Sequence, residues 1–177
     1  MRFLITVVLF LFSFAYLAFA GDQKLVSPRG TFAITQHEAR DLWTIKFHFT
    51  KPGIADITFK DTYLWAALFY VSPDDQWIFR IQKNVSGDNI SFLYRLDSNG
   101  HLRCMEEHFD KRAFEFLEHS LSIDVAAFYH TKIEFTDWDL KAGILRFTAI
   151  GSSPANLGPS MRRKLIYDLD EHKFRTP

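Results

Sequence analysis

Alternation between apolar and polar residues at every second position is the feature that most limits how this chain can fold. Within residues 42–50, Trp43, Ile45, Phe47 and Phe49 share one face, and polar side chains occupy the other. A β-strand has this two-residue period, so the pattern predicts a strand with one buried face. Six further segments alternate in the same way and are predicted strands: 31–36, 77–82, 92–96, 132–135, 145–148 and 165–169.

These segments predict a mainly β protein, in which antiparallel hairpins form a sandwich or an open, partial-propeller-like sheet. A continuous apolar run over 64–71 predicts one more buried strand. One stretch follows a different period, because Met105, Phe109, Ala113 and Phe116 recur at helical spacing. We therefore expect a single amphipathic helix at about 105–119 that covers the sheet.

The N-terminus has the pattern of an export signal. A mainly apolar run from 3 to 20 ends in Ala18-Phe19-Ala20, and small residues at these two alanine positions fit a signal-peptidase site. The sequence therefore predicts a signal peptide at 1–20 and one β-rich domain at 21–177, exported to the periplasm or the extracellular space. A retained membrane anchor is the alternative, since the run is just long enough to span a bilayer. No other segment reaches that length, so no membrane span is expected after cleavage.

Charge and cysteine content exclude a nucleic-acid-binding protein and a small fold held together by internal disulfides. The 21 Lys and Arg residues balance the 21 Asp and Glu residues, so the chain lacks the basic surface that nucleic-acid binding requires. The one cysteine, Cys104, cannot form an internal disulfide. We expect it to be a buried thiol, with a disulfide to another chain as the alternative.

A turn motif recurs along the chain and carries a family resemblance. Ser-Pro at 27–28 and again at 72–73 precedes a predicted strand, and the second copy reads Ser-Pro-Asp-Asp-Gln-Trp. A later strand in that segment ends in Tyr94-Arg95-Leu96-Asp97. This layout resembles a blade of the WD40-like and TolB-like β-propeller repeats, over about half of the mature chain. The resemblance implies stacked hairpins and a binding platform, but only about three blades fit, fewer than a closed ring needs.

No constellation typical of an enzyme is present, so we expect no enzymatic activity and assign no catalytic residue. Three closely spaced carboxylate pairs at turns could serve a secreted hydrolase, but turn-forming Asp residues explain them equally well: Asp74/Asp75, Asp137/Asp139 and Asp168/Asp170. Glu115 and His119 lie one helical turn apart and could share a metal ion. A solvated polar helix face explains them better, so neither a metal nor a cofactor is predicted.

Aromatic residues beside turns are the better indication of function. Trp65, Trp77 and Trp138 are the candidate binding residues for a protein or glycan partner, with burial in the core as the alternative. The sequence favours an exported, non-enzymatic binding or interaction protein of the cell envelope or extracellular space. Two alternatives stay open: a secreted hydrolase that uses turn carboxylates or a histidine, and a secreted inhibitor that inserts the Gly/Pro-rich loop 151–160 into its target.

Overall fold

A computed structural model describes residues 22–39, 42–61, 63–85, 87–153 and 160–177 of the chain. The predicted signal peptide therefore lies outside the described residues. The described chain forms one α-helix, α1 (Phe109–Leu121), and one turn of 3-10 helix, Val125–Ala127. Its strands are β1 Gln23–Val26, β2 Phe32–Ala39, β3 Leu42–Phe49, β4 Ile57–Asp61, β5 Leu68–Val71, β6 Trp77–Val85, β7 Asp88–Leu96, β8 Leu102–Glu106, β9 His130–Asp139, β10 Ile144–Ser152, β11 Met161–Asp168 and β12 Lys173–Arg175.

The strands form three antiparallel sheets, each built from four consecutive strands. The first sheet has the order β1-β2-β3-β4, the second β5-β6-β7-β8 and the third β12-β11-β10-β9. The predicted mainly β fold with one helix is thus confirmed. No helix in the described part of the chain is long and apolar enough to cross a membrane.

The helix begins four residues later than its predicted start. Met105 and Glu106 belong to the end of β8, where Glu106 pairs with Leu93 of β7. The predicted helix start was too early, because Met105 of β8 packs against the same core as the helix and so fits the helical spacing of apolar residues. The helix ends after Leu121, where Ser122 takes a left-handed backbone conformation with φ +53°.

Strand alternation in β6 explains why the second sheet lies between the other two. Phe79 and Ile81 face a large core shared with the third sheet and α1, whereas Ile78 faces a smaller core shared with the first sheet. Phe109 of α1 lies within the large core, and Phe47 of β3 lies within the small one. The second sheet is therefore buried on both faces.

The two ends of the stacked sheets differ in what they display. The β1–β2 and β3–β4 connections of the first sheet lie at one end, together with the β5–β6 and β7–β8 connections of the second, and we call this the turn end. The chain enters the first strand of each sheet at the opposite end, which we call the loop end. The third sheet has its loop end beside that of the second sheet. The side chains of Asp88, at the start of β7, and His130, at the start of β9, meet there at 3.2 Å.

Candidate binding cleft

The two Ser-Pro turns at the turn end have the same geometry. Ser27 Oγ accepts a hydrogen bond from the N–H of Phe32 at 3.2 Å, and Ser72 Oγ accepts one from the N–H of Trp77 at 2.8 Å. Each serine N–H donates in return to the carbonyl oxygen of the same residue, at 3.0 and 2.8 Å. The recurring sequence motif is therefore a recurring turn.

The third residue after each serine is Gly30 in the first turn and Asp75 in the second, and the Asp75 side chain connects the two turns. Gly30 and Asp75 both have positive φ values, +69° and +62°, which glycine adopts freely and aspartate tolerates. Gly30 has no side chain, whereas the Asp75 carboxylate extends into the first turn. Its Oδ2 accepts hydrogen bonds from the hydroxyls of Ser27 at 2.7 Å and Thr31 at 2.6 Å.

Two backbone donors complete the Asp75 site. The N–H groups of Arg29 and Thr31 donate to the carboxylate at 3.1 and 3.3 Å. Burial raises the pKa of Asp75, but the hydrogen bonds from Thr31 and Ser27 and these two amides outweigh it and hold the pKa below its ordinary value. Asp75 is therefore a buried, fully bonded anion that fastens the first sheet to the second.

Beside this junction a cleft of about 570 Å³ opens between the connections of the first and second sheets. This volume is within the range of small-ligand sites, about 300–1,000 Å³. The cleft is lined by charged, polar and apolar residues from both sheets: Arg29, Thr31, Phe49, Thr50, Lys51, Ile54, Asp74, Asp75, Gln76, Arg95, Leu96, Asp97, Ser98 and Gly100.

The acidic residues of the cleft are engaged by the turns that carry them. Asp74 accepts the Ser72 hydroxyl at 2.5 Å, and Asp97 accepts the N–H groups of Asn99 at 2.8 Å and His101 at 2.9 Å. The bond from the His101 N–H is the main reason why the pKa of Asp97 lies below its ordinary value. Together with Asp75, these carboxylates form bonds that shape the turns.

The charged side-chain groups of the cleft cations have no carboxylate partner among the described residues. Arg95 lies over the ring of Trp77, 5.4 Å from its centroid, and Lys51 Nζ donates to the carbonyl oxygen of Ser98 at 3.3 Å. The guanidinium of Arg29 is exposed at the mouth of the cleft. The lining thus balances three cations with three carboxylates, but the charged groups that still have free hydrogen-bond donors for a ligand are the cationic ones.

The three predicted tryptophans lie in different environments, and the cleft lining includes none of them. Trp77 is buried in the large core beneath Arg95, and Trp138 is half-buried against the same core, 5.8 Å from the Phe135 ring. Trp65 is exposed at the loop end. Of the three, Trp65 presents the most surface to a partner.

The remaining carboxylates considered for a hydrolase have hydrogen-bond or ion-pair partners close by. Arg146 donates to Asp137 at 2.8 Å and to Asp139 at 2.5 Å, and Asp168 accepts the N–H of Asp170 at 3.0 Å. The Arg146 guanidinium holds the pKa of Asp139 below its ordinary value. Asp139, which also accepts the N–H of Ala142 at 3.2 Å, and Asp168 bond to turn backbone as predicted, whereas Asp137 lies within β9 and is bonded across the sheet to Arg146 of β10.

The other candidates from the sequence are the Cys104 thiol, the Glu115/His119 pair and the loop 151–160. Cys104 is exposed, so the prediction of a buried thiol is wrong. Partial desolvation still raises the pKa of its thiol, which opposes formation of the reactive thiolate. Glu115 lies 3.9 Å from Lys111 Nζ, and no cluster of three or more His, Cys, Asp or Glu side chains fit to hold a metal ion occurs in the described ranges. Residues 154–159 of the candidate inhibitory loop 151–160 lie outside the described residues.

Sequence reasoning missed the cleft because its cations come from two separate connections and the end of a strand, β7. Arg29, Lys51 and Arg95 share no motif and are far apart in the chain. One signal could have located them, since alternate hairpins of a meandering sheet emerge at the same end. No protein-family model matches this chain, and no curated protein matches it either. A functional argument therefore depends on the geometry of the cleft.

Proposed function

We propose that the chain is an exported, non-enzymatic binding protein that recognises an acidic ligand in the cleft at its turn end. The proposal depends on a difference between the acidic and the basic side chains of the cleft in how they are bonded. The cleft carboxylates are bonded to turn donors, whereas the guanidinium groups of Arg29 and Arg95 have no carboxylate partner in the described chain. The resemblance to propeller repeats supports the same class of function, because it implies a binding platform.

The chemistry of these side chains favours a carboxylate. Guanidinium groups bind carboxylates through two parallel N–H···O bonds, which provide both affinity and orientation. Phe49 and Ile54 add apolar surface to the lining, against which the ligand's carbon chain can pack. We therefore expect an acidic peptide segment, or a small carboxylic acid with an apolar body, to bind here.

A tetraglutamate peptide titrated into ¹⁵N-labelled protein tests this site. We expect shifts at the amide signals of Arg95, Leu96 and Gly100, weaker at high salt, and none with tetraglutamine. Arg29→Gln and Arg95→Gln should each weaken binding about fivefold or more, because each removes a charge-assisted hydrogen-bond donor. Arg163→Gln changes an exposed arginine on the third sheet and is the matched control.

Three outcomes would contradict the cleft proposal. They are equal binding of tetraglutamine, shifts spread over the whole surface, and a loss in Arg163→Gln as large as in the cleft variants. Export is tested separately by mass spectrometry of the natively expressed protein, for which we expect Gly21 at the N-terminus. Recovery of a chain that retains Met1 would refute cleavage and favour the membrane anchor.

A further inference from the structure

The loop end exposes large apolar side chains, unlike the charged cleft at the turn end. Leu64 is 63% exposed and Trp65 is 36% exposed, both in the connection that enters β5. Tyr129, which precedes β9, is 71% exposed. Apolar groups of this size normally avoid water, and their grouping at one end of a protein marks a contact surface.

The β6–β7 hairpin lies between these exposed groups at the loop end. Lys83 Nζ lies over the Trp65 ring, 4.4 Å from its centroid. On the other side of the hairpin, Asp88 contacts His130, whose ring centroid is 4.1 Å from that of Tyr129. We call the set Leu64, Trp65, Lys83 and Tyr129 the loop-end surface.

The N-terminal strand starts beside this surface. Gln23 of β1 pairs with Gln36 of β2, and the Gln36 side chain in turn holds the backbone of Ala67, whose N–H donates to Gln36 Oε1 at 2.8 Å. The mainly apolar run from 3 to 20 immediately precedes this part of the chain. The described chain begins at Asp22, so the loop end is the part of the fold closest in sequence to that run.

We propose that the loop-end surface is a peripheral contact site for the interface of a lipid bilayer. Tryptophan and tyrosine side chains favour the headgroup region, because one end of the ring system is apolar and the other polar. Leu64 would enter the acyl boundary, and Lys83 would lie among the phosphates. This contact is independent of the cleft, which lies at the opposite end.

A second copy of the chain fits this surface less well. A stable protein interface buries about 800 Å² on each partner. A fully exposed aromatic side chain offers only about 150–250 Å², and Trp65 is 36% exposed, so it offers only part of that area. A bilayer accepts a few separate projecting groups, whereas a protein partner would need a larger matching face.

Vesicle flotation tests this proposal on the exported chain. Vesicles of phosphatidylcholine should carry the protein, and added phosphatidylglycerol should increase binding through Lys83. The double variant Leu64→Ser with Trp65→Ser should lose about tenfold or more in partitioning, and Tyr129→Ser should lose several-fold. Val26→Ser is the matched control, because Val26 is 57% exposed but lies at the turn end, and it should bind as the unchanged protein does.

Brominated lipids provide a second measurement for the case in which the double variant does not fold. We expect them to quench part of the tryptophan fluorescence, and Trp65→Phe should abolish that quenching while far-ultraviolet circular dichroism stays the same. Absence of vesicle binding overturns the proposal, and so does an equal loss in Val26→Ser. A dimer in sedimentation equilibrium that Trp65→Ser dissociates, without vesicle binding, would assign the surface to a second copy instead.

Discussion

The second sheet has two interfaces, and they are held together by different means. Among the described residues, sixteen buried apolar residues form the core with the third sheet and α1, but only eight form the core with the first sheet. The smaller interface therefore depends more on polar contacts. The Asp75 carboxylate at the turn end and the Gln36 amide nearer the loop end join its two sheets.

Aromatic packing is concentrated in the larger interface. The Phe109 ring lies 4.9–5.1 Å from the rings of Phe79, Phe147, Tyr167 and Phe174, so one helical residue contacts both sheets. No helix covers the smaller interface in the described part of the chain. We infer that the first sheet is the less stable unit and can open while the rest stays folded.

The largest expected effect is at Phe109. Phe109→Ala should lower the free energy of unfolding by about 3–5 kcal/mol, because it leaves a cavity where four other rings meet. Chemical denaturation followed by circular dichroism measures this loss. Phe116→Ala, at a half-buried position of the same helix, should cost less, and a larger loss there would place the centre of the core elsewhere.

The next effect separates the two interfaces directly. Asp75→Asn replaces a carboxylate that accepts four hydrogen bonds and should cost about 2–3 kcal/mol at neutral pH. Hydrogen exchange should show lost protection in β2 and β3, with β10 unchanged. Equal loss in all three sheets would show that the first sheet does not open separately.

The same variant predicts a dependence on pH. The pKa of Asp75 is lower in the folded than in the unfolded chain, so its contribution is present above the ordinary aspartate pKa. That contribution disappears as the pH falls through the lowered pKa. The difference in stability between the unchanged protein and Asp75→Asn should therefore shrink in acid, and a constant difference would contradict the assigned role.

The smallest effects come from two matched amide contacts. Gln36 bonds both backbone groups of Ala67, at 2.8 and 2.8 Å, and Asn89 bonds both backbone groups of Ile133, at 2.9 and 2.8 Å. Each alanine variant should cost about 1–2 kcal/mol. Gln36→Ala should expose the first sheet to hydrogen exchange, whereas Asn89→Ala should leave that sheet protected. The reverse pattern would refute the difference between the interfaces.

The central strands could be predicted from the sequence, whereas four edge strands were missed. All seven segments with two-residue alternation overlap observed strands, and three of them extend one residue beyond the strand. The missed strands, β1, β4, β8 and β12, have three to five residues each, which is too short for a clear period. An edge strand also pairs on one side only, so its own sequence determines less of its structure.

The candidate site could be predicted far less well. Ser72, Asp74 and Asp75 were recognised as turn formers, and they do form a turn. The bonds from Asp75 to Ser27 and Thr31 could not be foreseen, because they join turns more than forty residues apart. Predicting them requires the stacking of two sheets, which local propensity does not encode.

The arrangement of each sheet from consecutive strands also has a consequence for the order of synthesis. A growing chain can complete the strands of its first sheet before Asp75 has been made. Until the second sheet follows, the side chains of Phe32 and Phe47 have no neighbouring layer to cover them. The nascent chain therefore passes through a stage in which a completed sheet has an exposed apolar face. At that stage the chain most needs protection from aggregation.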